Sequence, residues 1–316
     1  MPARSPILTA LMALFSIPLA ASAIAFASGT MPESTLPSPG VSDDSTGQFI
    51  SEPSRTESST AAHTPFVLNK PKAVAPFPIL LNELVRSYVH DYVNRPGTWE
   101  GSVERSRPFF LEMTQALRAK GVPDDMLYLS FAESDFSKRG KGPWQFNKGT
   151  AQKYGLHVDR WVDERRDPVL STRAAAEYLS DLHDEAGYDW RVAVVGWNGG
   201  DLAIDRYWLL RGQNFDKFMD LLPGYTRHLM GRFMAFAFMA RNSSIYGLEN
   251  FDHNAQPQYH EVPVRGGTTL SEVAGSYHTT VAKLHDLNPA ILRDRVPPYA
   301  HNYKLRVPLV RTALAE

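Results

Sequence analysis

Apolar residues recur with a helical period through most of the chain between Pro76 and Asn242, and this pattern constrains the fold more than any other feature. In the first such segment the spacing is three or four residues, with apolar side chains at Leu80, Leu81, Leu84, Tyr88 and Tyr92. This spacing places the side chains on one face of a helix. Residues 76–242 are therefore predicted to form an all-α domain of about 165 residues, long enough to bury a substantial core.

The last part of the chain follows a different pattern. Residues 243–260 are polar and rich in turn-forming residues, which is typical of a linker. Residues 261–316 then predict a strand, two short helices and a second strand, at Val262–Arg265, Thr268–Gly275, Thr280–Leu287 and Tyr303–Val307. The sequence thus predicts a mainly α protein with a second, very small α+β domain of the order strand, helix, helix, strand.

The N-terminal residues have the composition of segments that precede a folded domain. Residues 1–27 have the pattern of a signal peptide: Arg4, an apolar run over residues 7–20, and small-residue cleavage sites after it. An uncleaved membrane anchor is the competing interpretation, although the apolar run is short for a membrane span. Residues 28–75 are rich in Ser, Thr and Pro and are predicted to form a disordered linker.

Composition argues against several classes of function. The formal net charge is −1, which gives no electrostatic basis for binding nucleic acid or an anionic membrane surface. The chain contains no cysteine, so it has no disulfide, thiolate metal ligand, cysteine nucleophile or lipidated N-terminal cysteine. His157, His183 and His228 show no metal-ligand spacing with other residues. The sequence therefore predicts neither a metal site nor a cofactor.

One carboxylate, Glu133, falls within an apolar stripe. In the predicted helix around it, Met126, Leu129, Glu133 and Phe136 share one face. Burial in apolar surroundings disfavours the charged form and raises the pKa, and a carboxylic acid that stays protonated near neutral pH is suited to general acid catalysis. The alternative is a glutamate that reaches solvent or pairs with a nearby arginine.

The residues after Glu133 form a recognisable series. The clusters are Glu133-Ser134, Pro143-Trp144-Gln145, Arg165-Arg166-Asp167-Pro168, Tyr178-Leu179 and Trp197-Asn198-Gly199. Their order and spacing resemble the lysozyme-like domain of soluble-type lytic transglycosylases, and most of all the membrane-bound lytic murein transglycosylases that carry LysM repeats. The resemblance covers about residues 100–240. In the C-terminal segment, Gly267–Ser271 and Leu287–Pro289 resemble the LysM pattern.

The resemblance implies a substrate and a mechanism. The substrate would be the β-1,4 bond between N-acetylmuramic acid and N-acetylglucosamine in peptidoglycan. Glu133 would protonate the leaving oxygen, and would then take the proton of the C6 hydroxyl of the muramoyl sugar as a 1,6-anhydro ring closes. One carboxylate suffices in such a reaction, whereas most glycoside hydrolases use two.

The resemblance also implies a set of sugar-binding residues, namely Ser134, Gln145, Tyr178, Trp197 and Asn198. Three of these residues have an alternative interpretation. Ser134 is also compatible with a local hydrogen bond near the helix end, Gln145 with an ordinary loop residue, and Tyr178 with packing in the core. Trp197 stands where the family usually has Tyr, and an indole only donates a hydrogen bond. Trp144 is interpreted as core, and Arg166 and Asp167 as structural residues.

Two further departures from the family bear on location and binding. The loop between Glu133 and Gln145 is shorter than usual and carries Lys138, Arg139 and Lys141, which are candidates for contact with the acidic peptides of peptidoglycan. Relatives are often lipoproteins, and the absence of cysteine predicts that this chain is not one. The expectation is a periplasmic, envelope-associated enzyme that binds glycan strands of N-acetylglucosamine and N-acetylmuramic acid. It is expected to contact neither nucleic acid nor, unless the signal stays uncleaved, the membrane interior.

Two rival functions remain compatible with the sequence. A muramidase or chitin-directed hydrolase on the same fold would need a positioned water and, in most cases, a second carboxylate. A non-catalytic wall-binding or scaffold protein would bind peptidoglycan without cleaving it, and the short loop and Trp197 are the reasons to consider it. Analysis of the reaction products distinguishes all three functions.

Overall fold

The computed structural model describes residues 74–210, 215–246 and 256–309. The segments predicted as a signal peptide and as a Ser/Thr/Pro-rich linker lie outside these ranges, except for residues 74 and 75. Within them, no helix has the length and apolar character needed to cross a bilayer. The helices before residue 247 are α1 (Glu83–Asn94), α2 (Pro96–Ser106), α3 (Phe110–Ala119), α4 (Leu127–Ser134), α5 (Lys148–Lys153), α6 (Pro168–Glu185), α7 (Trp190–Gly199), α8 (Asp201–Leu209), α9 (Phe215–Leu221) and α10 (Gly224–Arg241).

The C-terminal part forms the predicted strand, helix, helix, strand unit. Its elements are β1 (Tyr259–Val264), α11 (Leu270–Ser276), α12 (Val281–Leu287) and β2 (Tyr303–Pro308). The two strands are antiparallel, in a register that pairs Tyr259 with Pro308 and Val264 with Tyr303. The prediction of a mainly α protein with a small α+β unit is therefore confirmed. Strand β1 begins at Tyr259, within the segment predicted as the linker 243–260.

Helix boundaries follow from local capping. The first helix, whose predicted apolar face includes Leu80 and Leu81, begins only at Glu83, because the Asn82 side chain accepts a hydrogen bond from the Val85 N–H and caps the helix there. The sequence analysis named no helix at α2, which begins with Pro96 and Gly97. Pro is tolerated in the first turn of a helix, where no internal N–H bond is needed. Trp99 in α2 is 2 % exposed and anchors this helix to the core.

Helix α10 lies at the centre of the helical part. It packs against α1, α4 and α7. Its buried residues include Phe233 and Phe236, which make ring contacts with Phe77, Tyr92, Trp99 and Phe131. Because α4 and α7 both pack on this helix, side chains from three separate segments meet near the end of α4.

The strand, helix, helix, strand unit is docked on the helical part. Backbone hydrogen bonds join Leu292 N to Trp161 O and Asp163 N to Ala290 O, each at 2.9 Å. Tyr259 is buried in the main hydrophobic core. Arg306 of β2 forms a buried ion pair with Asp167 at the start of α6, with both side chains 7 % exposed. These contacts fix the position of the unit on the helical part.

Candidate active site

Helix α4 places Glu133 in its last turn, next to a sharp change in chain direction. Met126 and Leu129, which share its predicted face, are fully buried. The helix ends because Asp135 and Phe136 adopt positive φ angles of 51° and 56°. Aspartate tolerates this left-handed conformation, whereas a bulky residue such as Phe adopts it at a steric cost, which burial of the Phe136 ring offsets.

The carboxyl group of Glu133 is held by Trp197 of α7. The indole Nε1 donates a hydrogen bond of 2.9 Å to Glu133 Oε1. An indole N–H only donates, and the carbonyl oxygen of a carboxylic acid accepts hydrogen bonds better than its hydroxyl oxygen. The bond from Trp197 therefore favours the acid form of Glu133 that carries its proton on Oε2.

Burial raises the pKa of Glu133 above its ordinary value. Three groups act in the opposite direction: the hydrogen bond from Trp197, and the positive charges of Arg232 and Lys141. Loss of solvation outweighs them, which is the balance expected for a carboxyl group among apolar side chains. The charged groups whose fields act on Glu133 are both cationic, so no second carboxylate contributes to this shift among the described residues.

Arg232, whose positive charge acts on Glu133, is hydrogen-bonded to two other polar groups. Its Nη2 donates to Asp135 Oδ1 at 2.7 Å, and its Nε donates to the Tyr92 hydroxyl at 3.2 Å. The sequence analysis did not single out Arg232. A signal was present, because Arg232 is the one charged residue in the apolar, aromatic run Leu229–Ala240. Charged residues are rarely buried without a partner.

The loop that carries Gln145 is tied to the end of α4. Ser134 Oγ lies 2.9 Å from the Pro143 carbonyl and 3.1 Å from the Ser130 carbonyl, and it accepts a bond from Ser137 N. Gln145 has a positive φ of 51°, and its Nε2 donates to the Gly142 carbonyl at 2.7 Å. Both side chains thus have structural partners in the loop, and their contact with a sugar stays a prediction.

Gly142 can be replaced only at a high cost in stability. Its φ is +74°, and a Cβ atom there would lie 1.8 Å from the Arg165 carbonyl oxygen. We expect Gly142→Ala to lose about 1–2 kcal/mol for the left-handed backbone, and about 1–3 kcal/mol more for the displaced loop. Chemical denaturation measures the loss.

Gly140→Ala is the matched control for this substitution. Its φ is +58°, and no atom lies within 4 Å of an added Cβ. It should therefore show the backbone cost alone, and equal costs for the two variants would contradict the close approach to Arg165.

An aromatic layer surrounds the Trp197 indole. The rings of Trp144, Phe146 and Tyr178 lie 5.5, 5.1 and 5.2 Å from it, centroid to centroid. Trp144 is 1 % exposed and its Nε1 donates to Thr172 Oγ1, which confirms its interpretation as core. Tyr178 is partly buried, and burial raises the pKa of its hydroxyl. The structure thus brings Glu133, Tyr178 and Trp197 together.

Asn198 lies beside Trp197 in α7 and is anchored by α10. Its Oδ1 accepts a 2.7 Å hydrogen bond from the hydroxyl of Thr226, which is 2 % exposed. This contact fixes the orientation of the carboxamide and directs its NH₂ group away from Thr226. Thr226 is a further residue that the sequence analysis did not single out, because a Thr on an amphipathic helix carries no distinguishing signal.

Comparison with known families places this site within one domain. Residues 115–217 match the family described as "Transglycosylase SLT domain", and residues 258–314 match that described as "Lytic transglycosylase MltD, LysM-like domain". The first match includes all six predicted site residues, whereas Arg232 lies beyond it. The two matches also confirm the lysozyme-like and LysM-like assignments of the fold.

Two relatives illustrate the similarity. The membrane-bound lytic murein transglycosylase D of Escherichia coli (strain K12) is 23% identical over 219 residues, which is 66% of this chain and 48% of that protein. A putative tributyltin chloride resistance protein of Alteromonas sp. (strain M-1) is 28% identical over 115 residues, 34% of this chain and 55% of that protein. The chain spans about half the length of these relatives. It combines a transglycosylase SLT domain with a LysM-like domain of the lytic transglycosylase MltD type.

Proposed function

We propose that this chain is a lytic transglycosylase that cleaves the β-1,4 bond between N-acetylmuramic acid and N-acetylglucosamine in peptidoglycan, and that Glu133 is its acid and base. The observation that carries the proposal is the environment of Glu133. Glu133 is partly buried, and burial raises the pKa of its carboxyl group. The Trp197 indole donates a hydrogen bond to Oε1. Both residues lie in the part of the chain that matches the SLT domain.

The first step is proton transfer from Glu133 Oε2 to the glycosidic oxygen as the C1–O bond breaks. The N-acetyl group of the muramoyl sugar stabilises the positive charge at C1. Glu133 is now a carboxylate, and the Trp197 N–H, Arg232 and Lys141 all favour this charged form. It then accepts the proton of the C6 hydroxyl while that oxygen bonds to C1. Glu133 ends protonated, and no water is consumed.

The polar contacts around Glu133 support a single-carboxylate mechanism. Asp135, the nearest acid along the chain, is bonded to Arg232, and the charges that act on Glu133 within the described residues are cationic. A hydrolase would instead need a base for water on the opposite face of the sugar. Asn198 and Tyr178 are proposed to contact the sugars through the Asn198 NH₂ group and the Tyr178 hydroxyl.

Trp197 sets the pH range in which Glu133 works as an acid. The indole hydrogen bond lowers the pKa of Glu133, so its removal should raise that pKa further. We expect Trp197→Phe to move the alkaline limb of the kcat/KM profile to higher pH, because Glu133 stays protonated over a wider range. A pH–rate series on soluble glycan measures the shift.

Trp144→Phe is the matched control for Trp197→Phe. It removes an indole from the same aromatic layer, but this indole bonds to Thr172 and not to Glu133. The limb should stay in place in this variant. A limb that does not move in Trp197→Phe, or that moves to lower pH, would contradict the role assigned to the indole.

The remaining parts of the proposal concern location and glycan binding. The LysM-like domain is proposed to bind N-acetylglucosamine-containing glycan. The predicted signal peptide would deliver the chain to the periplasm, where it would act at the cell envelope without a lipid anchor. The predicted linker over residues 28–75 would separate any retained N-terminal segment from the folded domains.

Solubilisation of purified peptidoglycan sacculi tests whether the chain is an enzyme. We expect a loss of turbidity and release of soluble muropeptides with the wild-type protein. Binding to sacculi with no soluble product would reject the enzyme and favour the scaffold function.

A further inference from the structure

A cavity of about 760 Å³ opens where the LysM-like domain meets the end of α4. Ser134 and Asp135 line one side of it. These residues directly follow Glu133, and consecutive Cα atoms are about 3.8 Å apart. The LysM-like domain contributes Asp286, near the C-terminal end of α12, and Pro289, which follows that helix. The cavity thus exists only because the LysM-like domain is docked beside the candidate acid.

Positive charge dominates the lining of this cavity. It contains four cationic side chains, Arg105, Lys138, Arg139 and Arg166, against the carboxylates of Asp135 and Asp286. The Asp135 carboxylate is already bonded to Arg232, which does not line the cavity. Asp286 is 68% exposed and lies 3.7 Å from the Lys138 ammonium group.

Two of these cations are oriented by backbone carbonyl groups, and one of the two, Arg166, shares its carboxylate partner with another arginine. Arg105 donates to the backbone carbonyl of Asp135, and Arg166 Nε donates to the carbonyl of Gly140 at 3.2 Å. A carbonyl directs a guanidinium group but carries no net charge. Arg166 also has Asp163 at 3.8 Å, although that carboxylate bonds primarily to Arg165 at 2.7 Å. Arg139 is exposed and also lines the cavity.

The nearby positive charges affect the pKa of Lys138. Burial lowers the pKa of its ammonium group, and the nearby charges of Lys283 and Arg105 lower it further, against the opposing effect of Asp286. A negatively charged group in the cavity would relieve this repulsion. A volume of this size also suits a peptide of a few residues better than a single ion.

We propose that this cavity binds the carboxylates of the acidic peptide carried by the glycan strand in the active-site cleft. The inference rests on the proposed function, because a peptide attached to the muramoyl sugar at the cleaved bond must leave that sugar close to Glu133. The arginines provide paired N–H donors that match carboxylate geometry. The LysM-like domain would then complete the substrate site of the SLT domain in addition to binding glycan.

The test measures binding with the Glu133→Gln protein, which holds the substrate without turning it over. Two probes are compared: an oligosaccharide of alternating N-acetylglucosamine and N-acetylmuramic acid with its peptides, and the same oligosaccharide after amidase has removed them. We expect the peptide-bearing probe to bind about 10-fold more tightly at low salt, with the advantage disappearing at high salt. Arg139→Gln should reduce that advantage about 3-fold.

Arg173→Gln serves as the matched control, because Arg173 is exposed on α6 and does not line the cavity. In this variant the ratio of the Kd values for the two probes should equal that of the parent Glu133→Gln protein. Equal Kd values for the two probes, or an advantage that Arg139→Gln does not reduce, would overturn the proposal. Failure of the proposed function appears separately, as absence of cleavage by the wild-type protein, and leaves the Kd comparison intact.

Discussion

Glu133→Gln is expected to lower kcat on peptidoglycan by about 10²- to 10⁴-fold, which is the usual contribution of a positioned acid or base. The amide has nearly the same shape as the acid, and its oxygen still accepts the Trp197 N–H, so the site should stay assembled. What the amide lacks is the proton for the leaving oxygen and the base for the C6 hydroxyl. Initial rates on soluble glycan, with binding to sacculi as a parallel measurement, separate chemistry from affinity.

Stability provides a second readout for the same variant. Because the folded-state pKa of Glu133 is raised from 4.5, the acid form contributes stability below about that pH, and this contribution is lost as pH rises. Glutamine carries no charge at any pH. The Tm of Glu133→Gln should therefore exceed that of the wild type at pH 7.5, and the gap should narrow towards pH 4.

The matched control for charge removal is Glu177→Gln, at a surface pair in which the Glu177 carboxylate is 48% exposed. This variant should keep wild-type activity and show no such Tm gap. An active Glu133→Gln enzyme would contradict the mechanism. A Tm gap of the opposite sign would contradict the raised pKa.

Arg306→Met is expected to destabilise the folded protein by about 3–5 kcal/mol, because it leaves a buried carboxylate unpaired. Asp167 and Arg306 are each 7 % exposed, and Arg306 Nη2 donates to Asp167 Oδ1 at 3.2 Å. Burial alone lowers the pKa of the guanidinium group, but the charge and hydrogen bonds of Asp167 raise it overall. Methionine keeps most of the apolar stem, but it also removes the guanidinium group from above the rings of Phe109 and Tyr259, where Cζ lies 5.5 and 5.4 Å from the ring centroids.

A double-mutant cycle isolates the ion pair from other effects. Asp167 also caps α6 by accepting bonds from Val169 N and Leu170 N, and Asn at this position preserves the cap. The pair Arg306→Met with Asp167→Asn should therefore recover most of the stability lost in Arg306→Met. Lys304→Met, on an exposed position of the same strand, should stay within about 0.5 kcal/mol of the wild type. A cost below about 1 kcal/mol for Arg306→Met would show that the two domains are not held by this pair.

Periodicity and family motifs predicted the parts of the fold in which local sequence decides the structure. The helical part, the strand, helix, helix, strand unit, the structural role of Asp167 and the core position of Trp144 all have local signals. Residue-level boundaries were less predictable, as α1 shows. The apolar pattern includes Leu80 and Leu81, but the Asn82 side chain caps the helix, so that it begins only at Glu83.

The candidate site was predictable only in part, because its geometry depends on contacts between distant segments. Glu133 could be identified from its apolar stripe, whereas its hydrogen bond spans 64 positions to Trp197. The domain interface had no local signal. Nothing in the sequence around Arg306 distinguishes it from an exposed arginine on a short strand, because its partner Asp167 lies far away in the sequence. The cationic cavity is lined by residues of both domains, so it could not be predicted from the spacing of residues along the chain either.

The most direct test of the central claim is the mass of the soluble products released from purified sacculi by the wild-type protein. The proposed reaction consumes no water, so we predict muropeptides that end in 1,6-anhydro-N-acetylmuramic acid, each one water lighter than the hydrolysis product. The same masses should appear when the reaction is run in ¹⁸O-labelled water. Reducing-end products that carry the label would contradict the account, because they would show that water attacks C1 and that a second catalytic group acts beside Glu133.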